Sequence, residues 1–86
     1  MTATIDILAI ISSFKLKKNE AYHLYLLRND EWKTYGYIDK YTDAKRVSEL
    51  TALALANPDV FGVWVTIETG DGTRDDTIIK IEKSLT

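Results

Sequence analysis

The sequence has no cysteine and only one histidine, His23, among its 86 residues. The absence of thiols excludes disulfide frameworks, thiolate zinc sites and cysteine nucleophiles, so the fold must be stabilised by packing. It also favours the cytoplasm as the compartment. No hydrophobic run is long enough to span a bilayer, and we therefore expect no membrane partner.

The chain also lacks a cationic excess and a composition typical of disorder. Its formal net charge is -2, whereas proteins that neutralise many phosphates are usually basic, so nucleic acid is an unlikely partner. Hydrophobic residues make up 45% and charged residues 28%, which is the balance of an ordinary globular protein. A chain of this length closes one hydrophobic core, and we predict a single α+β domain over residues 1–86.

The first half of the chain predicts a helix followed by a β-hairpin. Thr4–Lys15 has apolar residues at helical spacing, although its isoleucines would also suit a strand. The run EAYHLYLLR, the turn formers Asn29 and Asp30, and the run EWKTYGYI then predict two strands joined by a short turn.

The second half repeats this order. Thr42–Ala56 is predicted to be a helix, with Thr42 as its N-cap and Pro58 just beyond its end. Gly70 and Gly72 can supply positive φ between the next two apolar runs, which predicts a second hairpin. The predicted fold class is therefore α+β: an antiparallel four-stranded sheet of two β-hairpins with a helix between them (ββαββ), and an additional N-terminal helix or, alternatively, a fifth strand.

Alternation along the strands divides the sheet residues between two faces. The face that holds the aliphatic residues should be the core, because burying each one contributes about 1.5–3 kcal/mol before entropy is subtracted. We assign to this face Leu24, Leu26, Trp32, Ile38, Phe61, Val63, Val65, Ile67, Ile79 and Ile81. The opposite face then holds His23, Tyr25, Leu27, Tyr35, Tyr37, Trp64, Thr66 and Lys80. This second face is too aromatic to be left bare on a typical monomer.

Three covers for the second face are possible. The N-terminal helix has an apolar stripe formed by Ile7, Ile10, Ile11 and Phe14. The same face of a second copy would give a homodimer, and a ligand or a protein partner is the third possibility. We expect an interaction face, with the N-terminal helix as part of the contact, formed by His23, Tyr25, Tyr35, Tyr37 and Trp64.

Motifs for catalysis or metal binding are not found. His23 has no accompanying cysteine, second histidine or ordered carboxylate cluster, and no serine lies in a nucleophile elbow. The segment TGDGTRDD lacks both the EF-hand spacing and a phosphate-binding Gly-Lys-Ser/Thr motif. An RNP-like run for stacking nucleobases is missing as well. We therefore predict no enzyme activity, no metal and no cofactor.

These observations predict a small non-enzymatic protein-interaction module with a regulatory role, which binds a protein partner or itself. The alternative is an acidic inhibitor of the phage type, which mimics nucleic acid and docks into a basic groove of a larger nucleic-acid enzyme. Its acidic patch would consist of Asp71, Asp75 and Asp76, with Glu68 and Glu82 at the same end. A third hypothesis is a nucleotide-like small ligand between the aromatic faces of two copies, although the sequence does not identify such a ligand.

Overall fold

The structure is a computed structural model that describes residues 6–35, 41–71 and 73–83, without the side chains of residues 74 and 75. The elements in chain order are α1 Ile7–Ser13, β1 Glu20–Arg28, β2 Glu31–Thr34, α2 Ala44–Ala56, β3 Gly62–Thr69 and β4 Arg74–Glu82. The strands form one antiparallel sheet in the order β2-β1-β3-β4. The prediction of an α+β fold with a four-stranded antiparallel sheet is thus confirmed.

Both helices begin at an aspartate that caps the first turn. The Asp6 carboxylate accepts a hydrogen bond from the Ala9 N–H at 3.0 Å, and the Asp43 carboxylate accepts one from the Lys45 N–H at 3.0 Å. A carboxylate satisfies a free amide there and is favoured by the helix dipole. The prediction of Thr42 as the N-cap of α2 is therefore wrong by one residue. Neither described helix has the length and apolarity needed to cross a membrane.

The two helices pack on the same face of the sheet. α2 contacts β1 and β3, while α1 contacts α2 and β4. Between these layers lies a core of apolar side chains that are at most 9% exposed: Ile11, Tyr22, Leu24, Leu26, Tyr41, Val47, Leu50, Ala54, Val60, Val63, Val65, Ile67 and Ile79. No described helix packs on the opposite face.

The apolar stripe of α1 belongs to this core. Ile11 is fully buried, and Ile7, Ile10 and Phe14 pack against the core cluster. The Tyr22 hydroxyl donates a hydrogen bond to the Phe14 carbonyl at 2.7 Å, and burial raises the pKa of Tyr22 above its ordinary value. The expectation that these four α1 residues cover the aromatic face, or form a contact there, is therefore wrong. Their stripe is buried against α2 and the helix-covered side of the sheet.

A two-residue turn sets the register of the first hairpin. Asn29 and Asp30 have φ of 50° and 63°, which is the left-handed conformation required by a type I′ turn. Asn and Asp adopt this conformation more readily than most residues. The turn places Arg28 directly opposite Glu31, so every later pair of the hairpin is fixed.

This register reverses the predicted faces of Trp32 and Tyr35. Trp32 lies opposite Leu27, and the Tyr35 N–H donates to the Leu24 carbonyl at 3.0 Å. Opposed residues of an antiparallel pair point to the same face, so Trp32 lies on the face without helices. Tyr35 instead packs against the core cluster. Both placements in the sequence-based assignment are therefore wrong.

Phe61 is the other predicted core residue that lies elsewhere. It precedes β3, is 38% exposed and lies beside the turn of the first hairpin, where the core no longer covers it. The remaining described members of the predicted core face are buried or pack against the core. Tyr37 and Ile38 lie outside the described residues.

β4 is an edge strand with two irregularities. Its register with β3 shifts between Val65 and Thr66, and again between Ile67 and Glu68. The first shift leaves Ile78 as an extra residue, and both Ile78 and Ile79 contact the core. Bulges at an edge disfavour the addition of another strand. The edge at β4 is therefore a poor template for the addition of another strand.

Candidate functional site

The face without helices presents two rows of residues across the four strands. Tyr25 lies opposite Thr34 on one side and Trp64 on the other, and Trp64 lies opposite Lys80. The neighbouring row consists of Trp32, Leu27, Gly62 and Glu82. We use the name aromatic face for the side chains of Tyr25, Leu27, Trp32, Trp64 and Lys80. Its three rings and Leu27 are half-buried, whereas Lys80 is exposed.

The rings of the aromatic face hold one another in place. The ring centroids of Tyr25 and Trp64 are 5.5 Å apart, and those of Trp32 and Trp64 are 5.7 Å apart in an edge-to-face arrangement. The Lys80 ammonium lies 4.5 Å from the Trp64 ring centroid and 5.4 Å from that of Trp32, within cation–π distance of both. The Trp64 indole N–H donates to the Thr77 hydroxyl at 3.0 Å. The side chains of the aromatic face are therefore preorganised, because these contacts already hold them in place within the single chain.

Trp32 can lie across the sheet because Gly62 has no side chain. A Cβ at Gly62 would be 3.0 Å from Cη2 of Trp32, 3.3 Å from Cβ of Leu27 and only 2.8 Å from the Ile81 carbonyl oxygen. A glycine within a strand is typical of such a close approach. The indole reaches over β1 to β3 and thereby meets Trp64.

Beside the aromatic face lies a buried polar cluster. His23, Thr66 and Glu68 are 5%, 0% and 4% exposed. The Glu68 carboxylate accepts hydrogen bonds from the Tyr25 hydroxyl and from the Thr66 hydroxyl, the latter at 2.9 Å. Nδ1 of His23 lies 3.5 Å from the same carboxylate, and its ring stacks with that of Tyr25. A buried carboxylate is tolerated only when it is partnered in this way. The cluster therefore fixes the hydroxyl end of Tyr25.

The cluster pairs a histidine with a carboxylate, and the two hydroxyls that accompany the pair, those of Tyr25 and Thr66, both donate to that carboxylate. Nε2 of His23 is buried and has no hydrogen-bond partner within the described residues. None of the described clefts is lined by His23. Across residues 6–35, 41–71 and 73–83, no group of three histidine, aspartate or glutamate side chains could hold a metal ion. The hydrogen bond from the Tyr25 hydroxyl to Glu68 ties this cluster to the aromatic face.

Three of the residues predicted for the interaction face, His23, Tyr25 and Trp64, are brought together by the structure. Tyr35 lies on the helix-covered face, and Tyr37 is not among the described residues.

Sequence reasoning missed two members of the site, Trp32 and Glu68. The two-residue turn, counted outward pair by pair, places Trp32 opposite Leu27. Alternation along β3 from Trp64 through Thr66 likewise brings Glu68 to the same face. Both signals were present in the sequence.

Two of the acidic residues of the alternative hypothesis, Glu68 and Glu82, do not join Asp71 and Asp76 in an exposed patch. Glu68 is buried in the polar cluster, and Glu82 lies opposite Gly62, at the other end of the β3–β4 hairpin. The Asp71 carboxylate accepts hydrogen bonds from the Thr69 hydroxyl and the Thr73 N–H, which lower its pKa from 3.8 to about 2. Asp76 is exposed, and the side chain of Asp75 is outside the described part of the chain.

A cleft of about 450 Å³ lies where the aromatic face meets the turn of the first hairpin. It is lined by Leu27, Asn29, Asp30, Phe61, Glu82 and Lys83. Since Leu27 belongs to both, the cleft and the aromatic face form one continuous surface.

The fold and the site together define a small α+β domain with a preorganised aromatic surface on the sheet face that neither described helix covers. No protein-family model, curated protein or solved structure matches the chain. A function has to be inferred from the chemistry of this surface.

Proposed function

We propose that the protein is a small non-enzymatic protein-interaction module that self-associates reversibly through its aromatic face. The observation that carries this proposal is that both helices pack on one side of the sheet, while Tyr25, Trp32 and Trp64 are half-buried on the other. Tyrosine and tryptophan are the commonest anchors of protein interfaces. Rings that are already fixed lose little side-chain entropy on binding, which favours association.

The size of the aromatic face supports a weak contact. Two rows across four strands have a flat footprint of roughly 250 Å², at ~4.8 Å between strands and ~3.3 Å per residue. A stable interface buries about 800 Å² per partner. This area is considerably larger than the aromatic face, even when the relief of its side chains is added to the flat footprint. We therefore expect a dissociation constant on the order of 100 µM and not an obligate dimer.

The strand order suggests how two copies would meet. A twofold axis parallel to the strands and between β1 and β3 would place β4 of one copy over β2 of the other, because the order is β2-β1-β3-β4. Lys80 and Thr34 occupy the same row, so Lys80 of one copy would lie over Thr34 of the second. The two ammonium groups then lie at opposite edges of the interface and do not repel each other.

Substitutions at Thr34 test both the association and its geometry. Thr34→Lys would place an ammonium opposite Lys80 of the second copy, and we expect the dissociation constant to rise at least about tenfold in sedimentation equilibrium. Thr34→Glu places the opposite charge there and should preserve or strengthen the association. Thr42 is an exposed threonine just before α2, so Thr42→Lys is the matched control.

Two outcomes would overturn the proposal in different ways. A wild-type protein that stays monomeric at about 1 mM, far above the expected dissociation constant, would exclude self-association. Equal weakening by Thr34→Lys and Thr34→Glu would leave the aromatic face as the interface but exclude the proposed axis.

The acidic inhibitor is the competing proposal, and ionic strength separates it from self-association. Its support rests on the exposed Asp71 and Asp76, which lie at the end of the sheet away from the aromatic face. Binding steered by these carboxylates should weaken sharply between about 50 mM and about 500 mM salt. Association through buried rings should hardly change over the same range.

A further inference from the structure

The cleft between the aromatic face and the first turn combines an exposed ring with unpaired carboxylates. Its volume of about 450 Å³ falls within the range of roughly 300–1,000 Å³ that is usual for ligand sites. Leu27 and Phe61 supply its apolar surface, and Phe61 is 38% exposed. A phenyl ring in this position can stack against a guanidinium or cover the methylenes of a long side chain.

The charges around the cleft favour a cation. Asp30 and Glu82 are exposed, and neither forms an ion pair within the described residues. The ammonium of Lys83 donates to the Asn57 carbonyl at 2.9 Å, so the cation of the cleft is already engaged with the backbone. Two acidic residues thus line the cleft, together with one tethered ammonium.

A neighbouring cleft has a different balance of charge. The second cleft shares Phe61 and Asn29, but it adds Arg28 and Asp59, whose charges balance. It therefore has no net attraction for either sign. The net charge of the whole chain, -2, further favours a basic partner during encounter.

We propose that the cleft binds an arginine side chain presented by a partner polypeptide, with the guanidinium between Asp30 and Glu82 and the methylenes against Phe61 and Leu27. Arginine fits better than lysine, because its planar guanidinium can bond carboxylates in a fork and stack on an aromatic ring at the same time. The inference rests on the protein-interaction function. Because Leu27 and Glu82 also lie in the second row of the face proposed to self-associate, binding to the weakly associating Thr34→Lys variant is what separates the two proposals.

The test is a titration of the full chain with N-acetyl-L-arginine amide, whose only charge is the guanidinium, followed by ¹H–¹⁵N NMR. We expect saturable shifts at Asp30, Phe61 and Glu82 with a dissociation constant of a few millimolar, on the order expected for so small a ligand. N-acetyl-norleucine amide, which has a similar stem without charge, should produce no saturable shifts at these positions.

Isosteric variants test whether the carboxylates of Glu82 and Asp30 bind the guanidinium. Glu82→Gln and Asp30→Asn should each weaken binding at least about fivefold, because each removes one charge-assisted hydrogen bond. Asn tolerates the left-handed φ of Asp30, so the turn is preserved. Glu49→Gln removes an exposed carboxylate on α2 and serves as the control.

Repeating the titration with Thr34→Lys separates this inference from self-association. Binding by this variant would show that the cleft acts without a dimer. Equal binding of the norleucine and arginine amides, or unchanged affinity in both isosteric variants, would overturn the arginine site. An absence of shifts up to about 50 mM, more than tenfold above the expected dissociation constant, would overturn it as well.

Discussion

Glu68 is the common partner of the side chains in the buried polar cluster beside the aromatic face. Replacing it with alanine would remove the carboxylate that accepts hydrogen bonds from the Tyr25 and Thr66 hydroxyls and lies beside His23. We expect Glu68→Ala to lower the free energy of unfolding by about 2–4 kcal/mol, because buried polar groups lose their partners. Urea denaturation measures this loss. Glu49→Ala, at an exposed site on α2, should change stability by less than about 0.5 kcal/mol. Equal effects of the two variants would contradict the role assigned to Glu68.

We expect acid to weaken the turn of the second hairpin through protonation of Asp71. Its pKa of about 2 in the folded chain is below the ordinary value of 3.8, because the Thr69 hydroxyl and the Thr73 amide bond its ionised form. A depressed pKa stabilises the fold above the unfolded value, so this contribution is present above about pH 4 and is lost as the pH falls toward 2. Thr69→Val should raise the pKa of Asp71 in a ¹³C NMR titration of the carboxyl group. An unchanged inflection in Thr69→Val would show that the Thr69 hydroxyl does not hold the carboxylate.

The strands and α2 could be predicted from the sequence because their patterns are local. The error within the first hairpin arose from assigning Trp32 by its spacing from Ile38 instead of counting from the turn. With Asn29 and Asp30 as a two-residue loop, Leu27 and Trp32 must share a face. The hydrophobicity of a tryptophan does not decide its side of a sheet when both faces are partly buried.

The position of α1 could not be predicted in the same way. Its apolar stripe indicated that α1 packs against another part of the fold. The stripe would look the same for packing on either face of the sheet, so it did not identify the face. The choice depends on where α2 and the sheet leave apolar surface uncovered, which is a property of the folded chain. The register shifts in β4 are likewise invisible to strict alternation, and they allow Ile78 and Ile79 to contact one core.

The two glycines at the ends of β3 provide a matched comparison of strand packing. A Cβ at Gly62 would press on the Ile81 carbonyl at 2.8 Å and on Trp32 at 3.0 Å, whereas a Cβ at Gly70 would meet only the Asn19 carbonyl at 3.8 Å. We expect Gly62→Ala to destabilise the fold by about 1–3 kcal/mol, since a backbone carbonyl in the ladder cannot move freely. Gly70→Ala should be nearly neutral. Thermal unfolding of both variants measures the difference, and tryptophan fluorescence should report a displaced Trp32 only in Gly62→Ala.

The sequence predicted that aromatic residues share a second sheet face, but it did not predict all the members of that face. Composition and alternation indicated an aromatic second face, and His23, Tyr25 and Trp64 lie together there. The preorganisation of this face depends on Lys80 above the indoles and on the space at Gly62, which are contacts between strands distant in sequence. Such contacts become visible only once the register of all four strands is known.

Self-association predicts that the stability of the whole molecule depends on its concentration. A partner that binds only the folded chain stabilises it by mass action, so the midpoint of thermal unfolding should rise with protein concentration. For a dissociation constant on the order of 100 µM, we expect a rise of about 2–5 °C between about 10 µM and about 1 mM, since roughly 1 kcal/mol shifts the midpoint of a domain this small by about 4–8 °C. The midpoint of Thr34→Lys should rise less than half as much over this range, whereas Thr34→Glu should behave like the wild type. Scanning calorimetry at both concentrations measures the shift. A constant midpoint for the wild type, with reversible unfolding, would exclude self-association through the aromatic face in this concentration range.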